Sequence, residues 1–215
     1  MAIIAVAGRK GGIGKSTIAG NLAGEFHARK RSVAVLDADP QHSLAAWAAQ
    51  GQGVLSQCVQ TVPDGDAVAL KALAKAAQKT ADIVLIDTPP GMPETALQAM
   101  LLADVILLPC GPSPMDLMAL TQSLALAEKA KTARREKKTR IRFVPSKVTM
   151  STNLSRALPV TLAEMGRKVL PAISLRVALA EAVEAGLTIV EFAPGSTSHV
   201  EFDALAKAVV RILAR

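Results

Sequence analysis

A chain of 215 residues, half apolar and one fifth charged, has the composition of a folded domain with a sizeable core rather than a disordered segment. Its two cysteines, Cys58 and Cys110, stand far apart and in no C-x-x-C pair, which excludes a disulfide framework and a zinc site and suits a reducing cytoplasm. The formal net charge of +7 is uneven, +1 over residues 1–100 and +6 over residues 101–215, so the second half is the part suited to a polyanionic partner.

The first element is an apolar run, Ala2 to Ala7, that reads as a fully buried strand. From Ile18 to Arg29, alanines, Leu22 and Phe26 recur at helical spacing. Between them lies Gly8-Arg9-Lys10-Gly11-Gly12-Ile13-Gly14-Lys15-Ser16-Thr17. A strand, a glycine-rich turn and a helix make the setting of a phosphate-binding loop, in which backbone N–H groups and the helix N-terminus face the anion. In such a loop Gly11, Gly12, Gly14 and Thr17 line the nucleotide, Lys15 reaches the β- and γ-phosphates, and the Ser16 hydroxyl ligates Mg²⁺.

The loop departs from G-x-x-x-x-G-K-[ST], because Arg9 stands where the first glycine belongs and a second lysine, Lys10, stands near the start. This stretch resembles the deviant Walker A loop of the ParA/MinD family of dimerising ATPases. The resemblance implies that Lys10 crosses a two-fold interface to phosphates held by the other subunit. It also implies an ATP-bound homodimer with Lys10, Lys15 and a later aspartate as its catalytic set.

The strand Ser32 to Leu36 ends in Asp37-Ala38-Asp39-Pro40-Gln41, at the rim where open α/β sheets bind ligands. The family's D-x-D-P-Q matches residue for residue. The resemblance makes Asp39 the group that orients the attacking water and Asp37 a support for Mg²⁺ and its hydration shell. Trp47, the only tryptophan, is expected to pack a helix. Val54 to Val62 reads as a strand, Asp64-Gly65 as a turn and Asp66 to Lys79 as a helix. Ile83 to Asp87 is a buried strand delivering a carboxylate to the metal's outer shell, as in Walker B. Thr88-Pro89-Pro90-Gly91 after it resembles the family's D-x-P-P switch segment.

Asp104 to Pro109 is a further strand, and the helix holding Met115 to Leu126 follows a turn with Pro114 and Asp116, which in the family lies near the nucleotide and the dimer face. From residue 129 to 142 stand eight basic residues, Lys129, Lys131, Arg134, Arg135, Lys137, Lys138, Arg140 and Arg142, against Glu136 alone. They suit either a solvated helix end or DNA phosphates. Without tyrosine, and with no helix-turn-helix or zinc pattern, DNA binding would be duplex-directed, non-specific and salt-sensitive.

Residues 142–148 read as a strand with Lys147 at its ligand end. Relatives place adenine contacts after this strand, although their usual asparagine is missing here. Leu154 to Met165 reads as a helix and Lys168 to Ile173 as a short strand. Ile173-Ser174-Leu175-Arg176 resembles the I-P-x-R of ParA relatives, with Arg176 matching as a DNA contact and Ser174 replacing the proline. The loop around Pro194 borders adenine in relatives, and Phe202 to Arg215 reads as a closing core helix rather than a membrane anchor.

Alternating strands and helices predict one α/β domain over residues 1–215, a largely parallel sheet covered on both faces. No segment is apolar enough to span a membrane, and the first strand begins too early for a secretory leader or an N-terminal helix-turn-helix. The resemblance implies a cytoplasmic, nucleoid-associated ATPase with ATP and Mg²⁺ as cofactors. Its homodimer would bind DNA without sequence preference and be stimulated by a centromere-binding or adaptor protein to move a plasmid, chromosome or other cargo. Alternatives are a membrane-surface ATPase like MinD and a small-molecule synthetase of the same superfamily. An electron-transfer relative like nitrogenase iron protein would need paired cluster cysteines, which are absent.

Overall fold

The computed structural model describes residues 1–134 and 139–214. Arg135, Lys137 and Lys138, expected at DNA, lie outside the described residues. Seven strands form one sheet in the order β3-β2-β4-β1-β5-β6-β7. They are β1 (Ala2–Val6), β2 (Val33–Asp37), β3 (Val59–Thr61), β4 (Ile83–Asp87), β5 (Val105–Cys110), β6 (Arg140–Val148) and β7 (Ile173–Ser174). Every pairing is parallel. Parallel strands need both faces covered, which is why β4 and β5 are apolar without alternation and buried throughout.

Alternate residues feed two cores. Ile4, Val6, Ile83 and Leu85 face α1 (Lys15–Ala28) and α10 (Thr197–Leu213), joined by Leu22, Phe26, Phe202 and Leu205. Ile3, Ala5, Val84 and Ile86 face α4 (Ala67–Ala77), α5 (Pro93–Leu102) and α6 (Pro114–Ala133). The chain leaves β1 toward β2 and leaves the adjacent β4 toward β5, so the order reverses between β1 and β4. Ligands of open α/β sheets bind beyond the strand C-termini at such a point.

Two expected strands are shorter than read. Within 54–62, Leu55–Cys58 forms a helical turn, α3, that buries Leu55, and only Val59–Thr61 pairs. Within 168–173, Val169 makes one isolated bridge to Phe143 and pairing resumes at Ile173, because Pro171 supplies no N–H. The helix α5 had an overlooked start signal in Pro93 and Glu94. The remaining helices are α2 (Ser43–Ala49), α7 (Asn153–Glu164), α8 (Val177–Glu184) and α9 (Ile189–Phe192). Among the described residues no helix is long and apolar enough to cross a membrane.

The loop-bearing helix α1 is clamped from its buried side. A Cβ on Gly20 would run into the Trp47 ring, behind which stands Leu44, and one on Gly24 would run into Thr188. Trp47 is 3% exposed and its Nε1 donates to the Leu187 carbonyl at 3.1 Å. The Asn21 side-chain Oδ1 accepts the Ile189 N–H at 2.7 Å, tying α9 to the same helix. Gly20→Ala is therefore expected to lower stability by about 1–2 kcal/mol, since displacing a packed ring outweighs the propensity gain of a helical alanine. Urea unfolding would register this as a lower midpoint at unchanged slope.

Candidate nucleotide site and basic surfaces

The loop between β1 and α1 curls because Gly12 and Gly14 take left-handed conformations, φ 72° and 88°. Gly14 is the N-cap of α1 and carries no side-chain cap, so the first N–H groups of a 14-residue helix are left for an anion. A Cβ on Gly14 would come within 2.8 Å of Ser146 Oγ, which itself donates to the Ile13 carbonyl at 2.8 Å. On the other flank the Arg9 N–H donates to Ser123 Oγ at 3.1 Å, anchoring the loop to α6.

The two lysines are held in different ways. Lys15, 6% exposed, donates from Nζ to the Lys10 carbonyl at 3.1 Å and stays under the loop. Burial pulls its pKa down, while the Asp87 and Asp39 carboxylates pull it back up. Lys10 has a side chain 42% exposed and pairs with Asp116 Oδ1 at 2.6 Å at the start of α6. Asp116 is held in turn by the Ser113 hydroxyl at 2.7 Å. Lys10 thus sits at the rim, outside the loop that Lys15 fills.

Strand register brings Val6, Asp87 and Asp37 abreast at the C-terminal edge. Asp87 is fully buried; the Ser16 hydroxyl is near enough to pull on its carboxylate, but neither oxygen has a partner at full hydrogen-bond geometry among the described residues. Burial foremost, with the nearby Asp37 and Asp39, pushes it up to about 7 against the pull of Ser16 and Lys15. Orphaned buried carboxylate oxygens cost several kcal/mol unless a cation or proton meets them. Asp87 and the Ser16 hydroxyl therefore suit a hard divalent ion that takes oxygen ligands and fills its remaining positions with water and phosphate.

Asp37, expected to support the metal and its hydration shell, also accepts backbone N–H groups. Oδ1 accepts the Asp39 N–H at 3.1 Å, and Oδ2 accepts Leu44 and Ala45 N–H groups at 3.1 and 2.9 Å. The open N-terminus of α2 needs acceptors, and Asp37 supplies them. Through its Oδ1 contact Asp37 is tied to Asp39, whose Oδ1 accepts the Gln41 N–H at 3.0 Å. Thr88 Oγ1 donates to the Val6 carbonyl at 3.1 Å, starting the proline-rich segment beside β1.

Next to the loop opens a cavity of about 340 Å³, bounded by Gly14, Thr17, Lys147, Leu175, Arg176 and Leu179. Lys147 lines it in a left-handed conformation, φ 55°. Pro194 is not among the residues that line it and lies in the turn between α9 and α10, while residues 173–183 form one wall. Sequence reasoning passed over Leu175, Leu179 and Glu201. Glu201 fixes the wall by accepting from Ser174 N–H at 2.8 Å, Ser174 Oγ at 2.7 Å and Arg176 Nη2 at 3.3 Å.

The basic residues expected to share one DNA surface divide. Arg134 is turned inward: its side chain is 11% exposed, pairs with Asp104 Oδ1 at 3.0 Å and donates to Ala103 O and Thr139 Oγ1. Its guanidinium closes the end of α6 and is withdrawn from any phosphate contact. Lys131 and Arg140 remain on the surface at the N-terminal end of the sheet, whereas Arg176 stands at the nucleotide end. Burial pushes the Cys58 thiol up to about 11 and the Cys110 thiol up to about 12, so neither offers a thiolate at neutral pH.

Comparison with known proteins agrees with this fold. The family model described as the CobQ/CobB/MinD/ParA nucleotide binding domain matches residues 4–189. The maintenance of carboxysome distribution protein A of Halothiobacillus neapolitanus is 30% identical over 210 residues, 96% of this chain and 95% of its own. Among solved structures, an ATP complex of a Cyanothece McdA variant superposes with TM-score 0.78 at 19% identity, covering 100% of this chain and 96% of that one. The Mg-ADP complex of MinD from Pyrococcus horikoshii has TM-score 0.78 at 21% identity, covering 99% and 97%.

Proposed function

We propose, since this chain belongs to the CobQ/CobB/MinD/ParA nucleotide-binding family, that it is an ATP-driven dimerising switch that positions a large cargo while holding to nucleoid DNA. The observation that carries this is the division of labour between the lysines. Lys15 is enclosed beneath its own loop, and Lys10 stands at the rim with only Asp116 to hold it. A single triphosphate is served by Lys15 and the α1 amides, so Lys10 is suited to phosphates presented by a second copy. When bound, Mg²⁺ would neutralise β- and γ-oxygens from beside Ser16 and Asp87. Asp39 would hold the attacking water in line, with hydrolysis accelerated by a separate partner protein.

The aliphatic walls at Leu175 and Leu179 suit a planar base, and the adjoining Gly14 and Thr17 connect that space to the phosphates. The full-length relative is named for carboxysome distribution, which favours a large protein assembly as cargo over a plasmid or chromosome. Such a switch would work in the cytoplasm.

Lys10→Ala tests the reading. Light scattering on a sizing column should find wild type dimeric with MgATP and monomeric with MgADP, and the variant monomeric with both. A variant that still dimerises with MgATP would remove the cross-subunit role of Lys10.

A further inference from the structure

The wall of the cavity beside the phosphate loop is weakly supported by the sheet it belongs to. Strand β7 is two residues long and lies at the sheet edge. It pairs with β6 only at Ser146–Ile173 and Val148–Ser174, with a register irregularity between the two. Past it the Leu175 N–H donates to the Val148 carbonyl at 3.0 Å, and α8 begins at Arg176, whose side chain caps nothing. Leu175 is 63% exposed although it lines the cavity together with Leu179. So short an edge strand makes few ladder bonds, and the position of the wall has to be set from another element.

That element is α10. Glu201 turns toward the edge with its side chain 19% exposed. Its Oε2 accepts the Ser174 N–H at 2.8 Å, and its Oε1 accepts the Ser174 hydroxyl at 2.7 Å. Both bonds are assisted by the charge of the carboxylate, which makes them the strong kind. Arg176 Nη2 adds a longer contact to Oε1 at 3.3 Å. The Ser174 N–H is thus taken by a side chain rather than by a further strand. The same helix is fixed to α1, which starts at the phosphate loop. Asp203 Oδ1 accepts from Arg29 Nη2 at 2.5 Å, and Phe202 and Leu205 share a core with Leu22 and Phe26. Helix α10 therefore links the helix that begins at the phosphates to the wall on the other side of the cavity, and Glu201 is its grip on that wall.

We infer that Glu201 is a positioning residue for the nucleotide base. By locking Ser174 to α10 it holds the wall at the distance from the phosphate loop that a base joined to its phosphates requires. The inference rests on the reading of this cavity as the base site. It divides affinity into two parts. The phosphates fall to the α1 amides, Lys15 and Ser16, while Glu201 bonds only residues of the wall. A wall in place for only a fraction of the time lowers the apparent affinity for the base by that fraction and leaves the phosphates untouched.

The test is calorimetric titration with MgADP and, separately, with magnesium pyrophosphate, which offers two phosphates and no base. Neither ligand carries a γ-phosphate, so subunit closure does not enter the measurement. Wild type should bind MgADP more tightly than pyrophosphate. Glu201→Ala should lower MgADP affinity by roughly tenfold and leave pyrophosphate affinity unchanged. Glu201→Gln keeps one acceptor oxygen and Ser174→Ala keeps the N–H donor, so each should lose only about threefold. Circular dichroism and melting midpoint check that each variant is folded, and Ser174→Ala carries the test should Glu201→Ala fail to fold. MgADP binding like wild type in both alanine variants overturns the inference and leaves the base reading standing. An equal loss of MgADP and pyrophosphate also overturns it, because Glu201 would then support the fold as a whole. Wild type that binds MgADP no tighter than pyrophosphate overturns the base reading and the inference together.

Discussion

Lys15→Ala is expected to give a folded protein that has lost ATP. Lys15 is enclosed at the N-terminus of α1 and its Nζ donates to the Lys10 carbonyl, so no packing layer depends on its ammonium. Its charge is held against desolvation by the carboxylates of Asp87 and Asp39, which leaves the ammonium poised for a stronger anion. Truncating one partner of a buried, hydrogen-bonded charge pair costs about 2–5 kcal/mol, roughly 30-fold to several-thousand-fold in affinity. Calorimetric titration should register that loss, and the rise in melting temperature with MgATP should vanish. Retained micromolar ATP affinity would count against the loop assignment. The variant also removes one of the two influences that hold Asp87 down, so a carboxyl already pushed up to about 7 should rise further and keep its proton at neutral pH.

Asp39→Ala should separate binding from turnover. Asp39 stands at the strand edge with its Oδ1 on the Gln41 amide and its own amide on Asp37, so the backbone places it and the side chain supports no core. A group that orients or deprotonates the nucleophile typically contributes 10²–10⁴ in rate. Phosphate release should fall by about 10²-fold or more while ATP affinity changes only a few-fold. On a sizing column the variant should persist as the MgATP dimer. Hydrolysis within a few-fold of wild type would transfer the water-orienting role elsewhere.

The parts of this site that could be read from sequence are those where chemistry sits on consecutive residues at a strand's end. Residues 8–17, 37–41 and 87–90 each stand at the end of a buried strand and open with glycines or carboxylates, and a parallel sheet brings all three to one edge. The cavity beside the loop was legible at Gly14, Thr17 and Lys147. Its wall comes from residues 173–183 and is fixed by Glu201, which is far along the chain. Charge counting also misled at Arg134, since composition gives the number of cations and not whether one turns inward to cap a helix. At the other end of the sheet Lys131, Arg140 and Arg142 share a recess with Arg167 and Lys168, and only the first three belonged to a visible run. Asp37 matched a motif, but that one of its oxygens also caps α2 could not be read from it.

The clamp on α1 has an optical consequence. Trp47 is the only tryptophan, tyrosine is absent, and the indole stacks against the same helix that begins at the phosphate loop. Ultraviolet emission from this protein therefore originates in one enclosed ring pressed on Gly20. Any tilt of that helix during a nucleotide cycle reaches the detector without a label and without a second emitter to blur it.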